Sequence, residues 1–240
     1  DTIRELIYIL REVTSRIRVG DQGGEDQSLI YDKLDLVNTV VGAGAKLLNF
    51  EEDLLGTTNV RSLSWRRGVP DFKVFTPVYN SSVIINLCNL KRHSSAFMTC
   101  AIKNNFGTLQ GRWNFGTRGY LHRHPNLSKE FVTELPEMVA LIRPELTIVD
   151  ARDIMIGDGP ILSYPNAKIK KGINLMVLSG DMVAVDAYCS QRIMKKYDSS
   201  FKPKYIRPTL DRAEKLGLGT ADLSQVEILE IDETWVPSNS

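Results

Sequence analysis

The sequence is poor in cysteine and histidine, with three of each in 240 residues. Cys88, Cys100 and Cys189 are odd in number and widely spaced. That excludes a disulfide framework and any self-contained Cys-x-x-Cys zinc or iron–sulfur site. No iron–sulfur cluster is therefore expected in this chain, and the thiols read as buried groups in a reducing compartment. Excess charge is missing too. Lys and Arg number 30 against 29 Asp and Glu, a formal net charge of +1, so nothing global favours nucleic acid or an anionic membrane. No apolar run approaches the roughly 20 residues that cross a bilayer, and no signal peptide is visible. The chain opens inside a helical pattern without an initiator Met, which leaves room for a leading segment before Asp1. The cytoplasm is the expected compartment, with an exported form as the alternative. Repeats and low-complexity tracts are absent as well. What is present is ordinary globular composition, 42% hydrophobic and 25% charged, which suits one domain over 1–240 with a sizeable core.

Helical and strand patterns alternate. Ile3, Leu6, Ile7, Leu10 and Val13 recur at helical spacing, and 16–20 then reads as a strand. Ser28 can cap a helix carrying Leu34, Val37, Val40 and Val41, closed by Gly42 and Gly44. Strands are expected at 46–50, 73–76, 83–87, 146–149, 173–178 and 226–231, and helices at 127–141, 181–194 and 209–216. This order predicts an α/β fold with a mostly parallel sheet and helices on both faces. Residues 107–125 read as a long irregular loop near the site, and 232–240 as a polar tail.

In open α/β sheets ligands sit beyond the carboxyl ends of the strands. That rule gathers Asp21, the run Lys91-Arg92-His93, Asp150 with Asp153, and Asp181 at one sheet edge. Lys91, Arg92 and Lys103 can hold a phosphate or carboxylate beside the amide of Asn104. Arg92 is the member that reads most readily as solvated. His93 can move a proton near neutral pH. His122 and His124 form a His-x-His pair that, with His93 and Asp150 or Asp153, offers a divalent-metal alternative. Gly157 and Gly159 form a flexible turn after a strand. The plainer readings are a simple turn at Asp21, an Asx turn with Arg152 pairing at Asp150 and Asp153, and a helix N-cap at Asp181. Asp186, one turn into its helix beside small residues, has no such plain reading.

At these residues the chain resembles a known family. Leu90, Lys91 and His93, then Ala101, Lys103, Asn104, Phe106 and Gly107, are similar to the paired PKLKTH and ALKNLFG motifs of the domain of unknown function 362. Asp150, Gly157-Asp158-Gly159-Pro160 and the Asp181–Asp186 stretch match its later motifs in order. Asn89 stands where the first motif has Pro. The resemblance implies no assigned reaction. Many members are joined to a ferredoxin-like Cys-rich module, so a ferredoxin-type protein is an expected partner here.

Together these readings describe an α/β protein that binds a small anionic ligand or cofactor at the strand ends, as an enzyme or redox partner. Lys91 and Lys103 neutralise the ligand and Asn104 orients it. Asp21, Gly157, Gly159 and Asp181 line the site, and His93 is the proton carrier positioned by Asp150, Asp153 or Asp186. The alternatives are a metal-dependent enzyme using His and Asp ligands, a non-catalytic binding module, and an interaction scaffold presenting Trp65 and Trp113. No nucleic-acid or membrane partner is expected.

Overall fold

Asp1 caps the first helix by accepting the Ile3 N–H at 3.0 Å, and α1 (Thr2–Arg11) buries Ile7 against Val40, Ala43 and Ala45. β1 (Arg18–Asp21), α2 (Gln27–Lys33), α3 (Leu36–Gly42) and β2 (Lys46–Asn49) follow, and β1 pairs with β2 in parallel. The helix expected over this stretch is two helices, broken where Asp35 takes a left-handed φ of 52°. Asp26 rather than Ser28 caps the first of them, accepting from the Ser28 and Leu29 N–H groups. The computed structural model of the chain describes residues 1–23, 26–50, 56–61, 71–112, 116–123 and 127–232.

β3 (Thr57–Val60) and β4 (Phe72–Phe75) form an antiparallel ladder, and α4 (Thr76–Tyr79) leads on to the main sheet. Its strands are β5 (Ile85–His93), β6 (Phe97–Thr99), β8 (Leu146–Ile156), β9 (Lys168–Lys170) and β10 (Leu175–Ser179), in the order β10-β8-β5-β6 with β9 also on β8. Between β6 and β8 lie α5 (Ala101–Asn104), a 3₁₀ turn (Asn105–Thr108), the short β7 (Gly111–Arg112), α6 (Gly116–Arg123) and α7 (Leu127–Ile142). The chain continues beyond β10 through α8 (Met182–Tyr188), a π-helical stretch (Cys189–Met194), α9 (Lys195–Tyr197) and α10 (Arg207–Lys215).

The main sheet is mixed, which corrects the expectation of a mostly parallel one. β5 and β8 are parallel, whereas β6, β9 and β10 run antiparallel to their neighbours. A parallel neighbour needs a crossover helix, and the path from β8 to β10 contains turns and β9 but no helix. Among the described residues, packing is heavier on one face than on the other. α5 and α8, backed by α7 and α10, cover the face bearing Cys88, Leu90, Val149 and Ala151. On the other face, Met176 is 42% and Leu178 56% exposed.

β5 and β8 are longer than their apolar runs suggested. Beyond those runs they carry Lys91 and Arg92, and Asp150, Arg152 and Asp153, as part of the strands rather than after them. Residues 107–125, expected to be an irregular loop, contain β7 and α6. Residues 226–231, expected to be a strand, pair with no strand among the described residues. The tail from 233 lies outside them. No helix among the described residues is long and apolar enough to cross a membrane.

Candidate functional site

The site forms where β5 ends and α5 begins. α5 is tied to the sheet by side-chain amides: Asn104 donates to Asn86 Oδ1 at 2.8 Å and to the Leu87 carbonyl at 3.1 Å. Asn86 and Asn105 each donate in turn to the Ala101 carbonyl at 2.8 Å. Asn104, expected to orient a ligand, therefore spends its amide on the scaffold. At the other end of the helix, Asp186 of α8 accepts the Ile102 N–H at 3.3 Å. It acts as an N-cap supplied by another element.

This mounting directs Lys103 onto the buried ring of Phe106, with Nζ 4.5 Å from the ring centroid. Arg118 of α6 approaches the same ring with Cζ at 5.1 Å, and the His122 ring meets it edge-on at 5.2 Å. Arg118 also donates to the Gln22 and Gly23 carbonyls at 3.3 and 3.1 Å, joining α6 to the turn after β1. Tyr31 steadies that turn by accepting the Asp21 N–H at 3.0 Å. Gly107 lets the turn approach closely, because a Cβ there would lie 2.8 Å from Asp21 Oδ1 and 3.3 Å from the Gln22 carbonyl.

The electrostatics follow from crowding. Burial, then the charges of Arg118 and Lys91, lower the Lys103 pKa to about 7, with Asp21 opposing. Burial, then Lys103 and Arg118, bring His122 to about 4. His93 falls to about 2, from burial first and then Lys103, His122 and Lys91. Its Nδ1 accepts the N–H groups of Ser95 and Ala96, both at 3.1 Å, so the ring proton belongs on Nε2. His93 is thus a neutral donor that closes the β5–β6 turn. Accepting a second proton at Nδ1 would break both bonds.

Asp21, Lys91, His93, Lys103 and His122 are brought together, and the other expected residues are not. Asp150 lies on the more open face of the sheet, ion-paired with Arg152, which also donates to Thr2 at 2.8 Å. Asp153 is exposed and accepts the Gly172 N–H at 2.8 Å. Asp181 caps α8 through Val183 and Ala184, both at 2.8 Å. It sits at the opposite edge of the sheet, because β10 runs against β8. Gly157 and Gly159 share the edge of Lys91 but serve a structural tie. Gly157 N–H donates to Asp198 at 2.9 Å, and the same carboxylate oxygen lies 3.3 Å from Arg92 Nε. Arg92, read as solvated, is therefore ion-paired. His124, Trp65 and Trp113 lie outside the described residues.

Asp186 sits in a separate, buried group. The free thiols Cys88, Cys100 and Cys189 are buried beside it, and Asp186 Oδ1 has no hydrogen-bond partner among the described residues. The neighbouring Cys100 thiol and then burial raise Cys88, while burial and then the Cys189 thiol raise Cys100. Burial lifts Asp186 to about 6. Residues 88, 100 and 189 are far apart in sequence, and only the stacking of α5 and α8 on β5 brings them together. Arg118 was missed because 107–125 was read as an irregular loop, and Phe106 was read only as part of the second motif. The one available signal was Phe106 beside Lys103 in the second motif.

The fold and site define an α/β protein with a cation-rich cluster at a strand exit. The chain belongs to the family described as Domain of unknown function (DUF362), which matches residues 1–191. It is similar to the thylakoid-associated protein sll1697 of Synechocystis sp., at 27% identity over 164 residues, covering 66% of this chain and 46% of that protein. The chain thus spans less than half the length of that relative.

Proposed function

We propose that this protein binds a small anionic ligand or cofactor, through a phosphate or carboxylate, between Lys91, Lys103 and Arg118, and acts there as an enzyme or redox partner. The observation that carries this reading is the charge balance around Phe106. Three cations converge on one partly buried place, and Asp21 is the carboxylate whose charge reaches Lys103. Such an arrangement is costly when empty and relieved by an anion. Neutral His93 would add a hydrogen bond from Nε2. The same charges repel a metal cation from His93 and His122, which favours anion over metal. The three free buried thiols fit a reducing compartment such as the cytoplasm.

The test is thermal stabilisation by sulfate and small carboxylates in wild type, Lys91→Ala and Lys103→Ala. A charge-assisted bond contributes about 1.5–3 kcal/mol, so each substitution should weaken binding about ten- to a hundredfold. A bound anion favours the charged lysine, so binding takes up a proton. Sulfate affinity should therefore fall as pH rises through about 7. Equal stabilisation of all three proteins would leave the lysines as solvated charges and sink the reading.

A further inference from the structure

Anion binding leaves unexplained why one of the cations is a partly buried lysine on a rigidly mounted helix. No carboxylate forms an ion pair with Lys103 among the described residues, and its contact is the face of Phe106. Arg118 is anchored by two backbone carbonyls, and α5 is held by Asn104 at one end and Asp186 at the other. The amine thus projects from an anchored helix beside fixed positive charge, with Asp21 opposing only at a distance and no carboxylate ion-paired to it among the described residues. A site that only neutralised charge would be served as well by a second arginine.

We propose that Lys103 is an amine nucleophile, and that the ligand is a small carbonyl compound carrying a carboxylate or phosphate, with which it forms an imine. This rests on the anion-binding reading above. The ligand's anionic group is held by Arg118 and Lys91, which places its carbonyl against Lys103. The Nζ lone pair attacks the carbonyl carbon, the C–N bond forms and the C–O π bond breaks. The proton lost from nitrogen goes to oxygen, giving a carbinolamine. Protonation of that hydroxyl by solvent expels water and leaves C=N, with no oxidant or reductant required. His93, with its proton on Nε2, can hydrogen-bond the oxygen as negative charge develops on it.

The groups facing Lys103 act in the required direction. Burial and the charges of Arg118 on α6 and Lys91 on β5 favour the neutral amine, Asp21 on β1 opposes them, and His93 and His122 stay uncharged. About half of the amine is then unprotonated near pH 7.

The experiment treats the full chain with glyoxylate and sodium cyanoborohydride at pH 7 and maps alkylated lysines by peptide mass spectrometry. The exposed Lys33 serves as an internal reference and propanal as a neutral probe. Lys103 should react with glyoxylate at least tenfold faster than Lys33, sulfate should slow it, and propanal should show no such preference. Lys103→Arg should lose the labelled site. Labelling spread evenly over the lysines, with sulfate stabilisation intact, overturns this proposal alone. Loss of sulfate stabilisation in wild type overturns the anion-binding reading beneath it. Equal preference for propanal and glyoxylate overturns the anionic substrate class. If Lys103→Arg does not fold, protection of Lys103 by sulfate in wild type decides the matter.

Discussion

Asp186 is a carboxylate buried against thiols and the first N–H groups of α5, and its role is to hold that helix. Its pKa is raised from 3.8 to about 6, so its proton contributes stability that is complete below pH 4 and lost as pH rises through 6. Asp186→Asn keeps an acceptor for Ile102 and removes the buried charge. It should match wild type near pH 4 and exceed it by roughly 1–3 kcal/mol at pH 8. Asp186→Leu orphans the helix N–H groups and should be less stable than wild type at both. Urea unfolding at the two pH values checks this, and an Asn variant less stable than wild type at pH 8 would reject it. At this scale the sequence was informative where chemistry had no packing excuse. Lys91 and Lys103 stood out as cations at a strand exit. Asp150 and Asp181 did not belong with them, because a local partner for each, Arg152 or a helix terminus, lay within a few residues.

The 3₁₀ turn after α5 and the turn after β1 are elements that must touch, and Gly107 is where they do. Gly107→Ala would put a methyl 2.8 Å from Asp21 Oδ1 and 3.3 Å from a backbone carbonyl that Arg118 uses. The turn must move and take its Arg118 contact with it. Stabilisation by sulfate should drop about tenfold while the melting temperature without sulfate changes by only a few degrees. Unchanged sulfate binding would show that the turn is no part of the site. Element type was legible from periodicity, but strand length was not. The second half of β8 sets exposed Arg152 and Asp153 between buried Ala151 and Ile154 at an irregularity in the ladder with β5, so the apolar run ends before the strand does. The direction of β10 was legible in principle, since 157–172 holds turn residues and no helical pattern. α6 was hidden by Gly116 and Gly119, which lower helix propensity in a helix that packing against Phe106 nonetheless secures.

Across the whole molecule, a small apolar cluster holds α1 and α3 together, and a large one fills the space between the main sheet and its helices. The site lies where the turn after β1 meets α5 and α6, a junction that no single stretch of sequence encodes. The thiol group lies deeper, inside the large cluster. Cys88 belongs to β5, Cys100 precedes α5 and Cys189 begins the π-helical stretch after α8, and each is less than 3% exposed. With their pKa values raised as well, these sulfurs can meet an alkylating reagent only when the core parts. They form three clocks set into three elements. If the core opens as one body, mass spectrometry should find all three modified at a single rate that follows global unfolding in denaturant. A thiol that runs ahead of the others would name the element that leaves first.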